Sequence, residues 1–296
     1  MTMKGLILIG ATILTLTTTS RMGLFDRLIG KTNSEQQSST SSKDVGHQEE
    51  WEFYFSNVND QLGSLFVDLG LYNVAPITDK PNVVWVSIKM NNPREDGLSS
   101  NEESKLLIKI EDDLVEKISS KHNSIYVGRL TSAGERDFYF YFGDTLLYDK
   151  TISEVMVAYP KYQFDLGIKE DKEWSVYIDF LYPEPEQFQS IQNRRVIANL
   201  EKHGDKLTKA REVDHWIYFK TEKDRETFLD KISNDRFTIV AKDYDKELDE
   251  APYTLHIKRV DKVDYNSVDD YVIYLWKLAT ECNGDYNGWE TSIEKD

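Results

Sequence analysis

The sequence predicts an α+β chain built as two α/β-sandwich domains, and three observations carry this. Runs that alternate apolar and polar residues are interleaved with runs whose apolar residues recur at helical spacing. A chain of 296 residues has room for roughly two domains at about 150 residues each. In LYPEPEQ (Leu181–Gln187), Pro183 and Pro185 stop one run, and the pattern changes after them. The expected division is 1–50 as an N-terminal leader or misassigned start plus a disordered linker, 51–183 as the first domain and 184–296 as the second.

MTMKGLILIGATILTLTTTS opens with one lysine and a mostly apolar stretch from Gly5 to Leu16. That stretch is too short for a bilayer, which needs about 20 residues, so no transmembrane span is expected. No small-x-small cleavage site precedes Arg21. Two readings stay open. Either residues 1–20 are a genuine signal and the protein is exported or membrane-anchored, or they are dispensable and it is cytoplasmic. In the second case MGLFDRLIGK, from Met22, places Leu24, Phe25, Leu28 and Ile29 at helical spacing. Thr32–Glu50 is rich in Ser, Thr and Gln and reads as a disordered tether.

Folded structure is expected from Trp51. WEFYF (Trp51–Phe55), GSLFVDLGL (Gly63–Leu71) and NVVWVSIKM (Asn82–Met90) read as strands, and Asn91–Ser100 as a turn cluster. Ser100, three residues before Glu103, signals a helix start. Leu106, Leu107, Ile110, Leu114, Val115 and Ile118 then give it an apolar stripe. Strands Ile125–Thr131 and Arg136–Phe142 flank a Ser132–Ala133–Gly134 turn, with Arg129 and Arg136 expected to project outward as surface charges. A short helix near Ser153–Tyr159 and strands Tyr162–Gly167 and Trp174–Leu181 complete this half.

The second half opens with a helix ending at Gly204, its stripe formed by Phe188, Ile191, Val196, Ile197 and Leu200. Lys209–Lys220 is a strand, and Thr221 caps a helix whose Phe228, Leu229 and Ile232 face inward. Strands Phe237–Tyr244 and Tyr253–Val260 follow. A long helix then presents Val268, Val272, Leu275, Trp276 and Ala279 along one face, and DYNGWET is left for a last strand. The order βαββαβ is that of a ferredoxin-like domain, which sets the last strand beside the first. Tyr286–Trp289 should therefore lie near Arg211–Tyr218, with Gly288 marking a bend or a close backbone approach.

Composition narrows the function. Residues 51–182 carry 13 basic and 22 acidic side chains, and residues 183–296 carry 18 and 25. Two acidic halves argue against direct nucleic-acid binding, which draws its affinity from Lys and Arg on phosphates. A basic protein partner fits better. The single cysteine, Cys282, allows no internal disulfide, and the five scattered histidines have no zinc spacing. The run Asp243, Asp245, Glu247, Asp249, Glu250 lacks the glycine and the distal glutamate of a calcium loop. No metal and no cofactor is expected. Glu111, Asp112 and Asp113 are adjacent carboxylates, but consecutive helical residues point in different directions.

NNPREDGLSSNEESKLLIKIEDDL, YVGRLTSAGERDFYFYF and WSVYIDFLYP resemble a bacterial family catalogued only as a domain of unknown function, over roughly Trp51 to Pro183. EVDHWIYFKTEKDRETFLDKI, the helix leading into LATECNGDYNGWET, and the acidic finish resemble the regulator of ribonuclease E activity B family, over about Glu186 to Thr291. That family ends on a Tyr-Asp-Gly-Trp run, standing here as Tyr286, Asn287, Gly288 and Trp289, with Asn287 in place of the usual Asp. His215 matches a histidine of the family's first strand. The resemblance implies a protein that acts by binding and inhibits ribonuclease E without catalysis of its own. The regulatory region of that partner is expected to be rich in arginine.

Two functional readings follow. In the first, the chain is a non-enzymatic protein-binding regulatory module whose target, a ribonuclease or another basic protein, is bound through the C-terminal domain by His215, Tyr286, Gly288 and Trp289. The same residues also suit plain packing: His215 as a hydrogen-bonded core histidine, Tyr286 and Trp289 as pieces closing the sheet. In the second, the chain is a hydrolase or nuclease-like enzyme using carboxylates such as Glu111 and Asp113.

Overall fold

A computed structural model of the protein describes residues 46–295. The leader, the Met22 helix and most of the expected tether lie outside the described residues. Among those described, no helix is long and apolar enough to cross a membrane. The chain forms two compact units, one ending at Ile191 and the other beginning at Gln192, and each carries its own sheet.

The first unit holds a six-stranded sheet in the order β1-β2-β4-β5-β3-β6, with every neighbouring pair antiparallel. Its strands are β1 (Trp51–Val58), β2 (Gln61–Asp68), β3 (Asn82–Lys89), β4 (Ser124–Ser132), β5 (Glu135–Phe142) and β6 (Gln163–Glu170). Side chains alternate across a strand, so each face needs its own cover. One face packs Val84, Val86, Ile88, Phe138, Phe140 and Phe142 against α1 (Asn101–Lys121) and α2 (Tyr148–Met156). The other packs Leu65, Val67, Ile125, Val127 and Tyr141 against Trp174, Tyr177, Leu181 and Ile191.

Three expectations are corrected here. Trp174–Leu181 is not a strand: Val176–Leu181 is a wide helical turn, in which the Tyr182 N–H donates to the Tyr177 carbonyl five residues back at 2.8 Å. Trp174, Tyr177 and Leu181 are the residues it buries, at helical intervals, and Asp171 accepts from the N–H groups of Ser175 and Val176 at 3.0 and 2.9 Å. The strand expected to reach Leu71 stops at Asp68, whose carboxylate accepts from the Gly70 N–H at 3.0 Å and starts a 3-10 turn, Leu69–Asn73. Arg129 and Arg136 do not project outward as surface charges. Arg136 is buried and donates to Thr131 Oγ1 at 2.8 Å and Ser99 Oγ at 3.1 Å, while Arg129 pairs with Glu111. Partners from distant parts of the chain offset their desolvation.

The second unit contains β7 (Arg211–Phe219), α4 (Glu222–Lys231), β8 (Thr238–Tyr244), β9 (Tyr253–Asp261), α5 (Tyr265–Glu281) and β10 (Gly284–Thr291). Its sheet runs β10-β7-β9-β8, all antiparallel, so the last strand pairs with the first. Thr221 Oγ1 accepts from the Asp224 N–H at 3.1 Å and Asp264 Oδ1 from the Ser267 N–H at 3.0 Å, starting α4 and α5 where their capping residues stand. α3 (Pro185–Lys202) contains the division between the units, with Phe188 and Ile191 in the first core and Ile197 and Leu200 in the second. The second core joins Val213, Ile217 and Phe219 of β7 to Leu255 and Ile257 of β9, Phe228 of α4, and Val268, Val272 and Leu275 of α5.

Candidate functional site

The four residues named as partner-binding come together on β7 and β10, three of them on the covered side of the sheet. His215 is opposite Trp289 in the register, and Tyr286 is opposite Ile217. Tyr286 and Trp289 are three positions apart, which in a regular strand would put them on opposite faces. A bulge between Tyr286 and Gly288 makes Asn287 an extra residue and shifts the parity, so both rings turn inward. Gly288 takes φ +125° there, a conformation that L side chains rarely adopt. The Tyr-x-Gly-Trp spacing is thus a device for burying two aromatics from one irregular strand.

All three large side chains are buried: His215 is 0 % exposed, Trp289 2 % and Tyr286 6 %. His215 Nδ1 and the Tyr286 hydroxyl share a 2.7 Å hydrogen bond. The His215 ring stands edge-on to Phe237 and Tyr271, at 5.7 and 5.6 Å between centroids. Burial, and then the nearby Arg259 and His256, push the imidazole down to about 3, so it is neutral. Trp289 Nε1 donates to Asn193 Oδ1 at 3.0 Å, and Asn193 Nδ2 donates to Asp269 Oδ1 at 2.8 Å. The chain Trp289–Asn193–Asp269 ties β10 to α3 and α5. These side chains are packed into the covered side of the sheet.

The opposite face of the same sheet is different. Cross-strand neighbours point the same way, so the register places its side chains in rows. One row reads Gly288, Trp216, His256, Ala241 across β10, β7, β9 and β8. The row on one side reads Asp285, Tyr218, Thr254, Asp243, and that on the other reads Glu290, Asp214, Lys258, Thr238. Trp216 and His256 stack with centroids 4.5 Å apart and planes 15° from parallel. His256 Nε2 and Asp214 Oδ1 are 2.7 Å apart, Asn287 Nδ2 donates to the Tyr218 hydroxyl at 3.2 Å, and Lys258 Nζ bonds Glu212 at 2.9 Å. The Glu290 carboxyl is held above its ordinary value by partial burial and by the neighbouring Asp214. None of the side chains in these rows belongs to the buried core cluster. Trp216, Tyr218, His256, Asp214 and Glu290 are the residues that sequence reasoning missed.

Where the rows end, Glu212, Asp235, Lys258, Arg259 and Asp261 line an open groove of about 600 Å³. Of its cations, Arg259 is paired to Asp261 at 2.7 Å and Lys258 to Glu212, and Arg236 lines it as well.

The carboxylates of the enzymatic reading diverge. Glu111 accepts from the Tyr126 hydroxyl at 2.8 Å and from Arg129 Nη1, whose guanidinium lies 4.3 Å over the Phe66 ring. Asp113 accepts from the Tyr159 hydroxyl. Each is bonded to a different structural partner. Among the described residues, no group of three or more His, Cys, Asp or Glu side chains could hold a metal ion.

No curated protein matches the chain. A solved structure of an unknown protein from Galdieria sulphuraria is similar at 10% identity, covering 71% of this chain and 98% of that one, with a TM-score of 0.20. Residues 49–182 match the family described as Family of unknown function (DUF695), and residues 190–291 match the family Regulator of ribonuclease activity B.

Proposed function

We propose that the protein is a non-enzymatic regulator that acts by binding a protein target, a ribonuclease or another basic protein, through residues 192–295. The observation that carries this is the match of residues 190–291 to a regulator family, on a unit whose uncovered sheet face combines aromatic and acidic side chains. Aromatic side chains supply binding energy when a partner covers them, and carboxylates set the sign of that partner. His215, Tyr286, Gly288 and Trp289 act in this reading by holding β10 in register against β7. They are positioning residues for the surface.

The test is a cleavage assay. Purified full-length protein is titrated into a ribonuclease E-type enzyme from the same host, with a fluorogenic RNA substrate. The expected result is a saturable change in rate together with a protein–protein complex by sedimentation. An unchanged rate and no complex, at concentrations up to tens of micromolar, would sink the ribonuclease target.

A further inference from the structure

The geometry points to the uncovered face of β10-β7-β9 as a docking site for an arginine-bearing segment of a protein partner, with a guanidinium received beside Trp216 and the carboxylates of Asp214 and Glu290. This deepens the proposed regulatory reading and rests on it for the kind of partner.

Three features of the face favour that occupant. The first is charge. The three rows carry Asp285, Asp243, Glu290 and Asp214 against one lysine, Lys258, and that lysine is already bonded to Glu212. His256 is engaged by Asp214. Asp285 and Glu290 are in no ion pair with a lysine or arginine among the described residues, and His256 is the positive group that bears on Glu290. A polyanion such as RNA would be repelled by this set, and a cation would be drawn to it.

The second feature is the shape of the central row. The stacked Trp216 and His256 rings stand between Gly288 and Ala241, the two smallest side chains available. Neither end of the row has a side chain long enough to close over the rings. A planar group can therefore approach beside the stack with carboxylates in the next row, about 7 Å along the strand.

The third feature is the pairing of an aromatic face with a carboxylate. A guanidinium stacks on an indole and bonds a carboxylate through its edge at the same time. A lysine ammonium is compact and strongly hydrated, and it exploits that pair less well. The combination selects arginine. The raised Glu290 carboxyl fits this arrangement, because an arriving cation relieves its repulsion from Asp214.

The probe is a terminally blocked nonapeptide of alternating arginine and serine, with lysine and citrulline counterparts, titrated into the full-length protein by calorimetry. Indole N–H resonances are followed alongside by NMR. The expected result is saturable binding of the arginine peptide, several-fold weaker binding of the lysine peptide, none of the citrulline peptide, and movement of the Trp216 indole signal. Trp216→Ala should weaken binding at least tenfold, and Trp216→Phe should stay within about threefold. The doubly neutralised Asp214→Asn, Glu290→Gln protein leaves the aromatic row in place, and it should lose five- to tenfold in affinity and part of the salt dependence.

Absence of arginine-peptide binding, or binding unchanged in both variants, overturns the inference. Preferential binding of an oligouridine RNA at Trp216 overturns it as well. The cleavage assay separates this from the regulatory reading. Rate changes that persist in Trp216→Ala refute the docking face and leave regulation standing. Peptide binding at Trp216 without any effect on a ribonuclease supports the face and refutes the ribonuclease target.

Discussion

The two faces of the four-stranded sheet use the same residue types for opposite ends. On the covered face His215 is buried beside Tyr286, Tyr271 and Phe237 and is kept neutral. On the other face His256 lies half-buried against Trp216 and is bonded to a carboxylate. One histidine is part of the solvent-excluded architecture, the other part of a surface. The same holds for the two tryptophans: Trp289 spends its indole N–H on Asn193, whereas Trp216 belongs to no core cluster. What a histidine or tryptophan does here is decided by strand parity.

Four measurements break or sharpen that contrast. The largest effect is expected from acid. His215 has its pKa lowered from 6.5 to about 3, so between those values the unfolded chain binds a proton that the folded chain refuses. Stability that is fully present above about pH 6.5 is lost as pH falls toward 3, on the order of 5 kcal/mol in total. Denaturant unfolding of the wild type and of His215→Gln at pH 7, 5 and 4 measures it, and the slope with pH should flatten in the variant. Next comes Trp289→Ala, which removes a buried ring and the hydrogen bond from its indole N–H to Asn193 Oδ1. A loss of about 3–5 kcal/mol in urea unfolding is expected. Gly288→Ala forces an unfavourable backbone conformation at the bulge and should cost about 1–3 kcal/mol. Smallest is Trp216→Ala, whose unfolding free energy should stay within about 1 kcal/mol of wild type while target binding falls. If Trp216→Ala unfolded the protein as Trp289→Ala does, the two faces would not differ in the way described.

Much of the second unit was legible from the sequence because its periods are clean. The strand REVDHWIYF alternates so regularly that Val213, His215, Ile217 and Phe219 could be assigned to one face. The same alternation carries a second signal. If the odd positions face the core, the even ones put Trp216 and Tyr218 on the side expected to meet solvent, where two large aromatics need a reason. The role of Tyr286 and Trp289 could not be read from spacing, because their odd separation makes sense only with the bulge at Asn287.

In the first unit, WSVYIDFL misled because its apolar residues satisfy both periods over so short a run. Asp171 and the Trp174–Tyr177–Leu181 contacts resolve it as a helical turn. Glu103 shows a subtler case. Ser100 caps the helix as expected, with the Glu103 N–H donating to its Oγ at 3.3 Å. The Glu103 carboxylate, however, accepts from the backbone N–H groups of Asn91 and Asn92 at 2.6 and 2.8 Å and so pins the preceding turn. Arg129 and Arg136 looked like exposed charges because nothing local in the sequence announces a partner such as Glu111, 18 residues away from Arg129.

The bulge in β10 also sets how the chain end can vary. Asn287 contributes a position more than a chemistry: its amide bonds Tyr218 on the uncovered face, and another polar residue there would leave the count of residues intact. Loss of that one residue would leave Tyr286 and Trp289 two positions apart, the spacing at which a regular strand sets both on one face. The pairing beyond it, Gly288 opposite Trp216 and Trp289 opposite His215, would then run on without a bulge. What would go is the extra bend and twist that a bulge gives a strand, together with the amide on the Tyr218 hydroxyl. The extra residue therefore shapes the curvature of this sheet edge, while the inward parity of the two rings outlasts its removal.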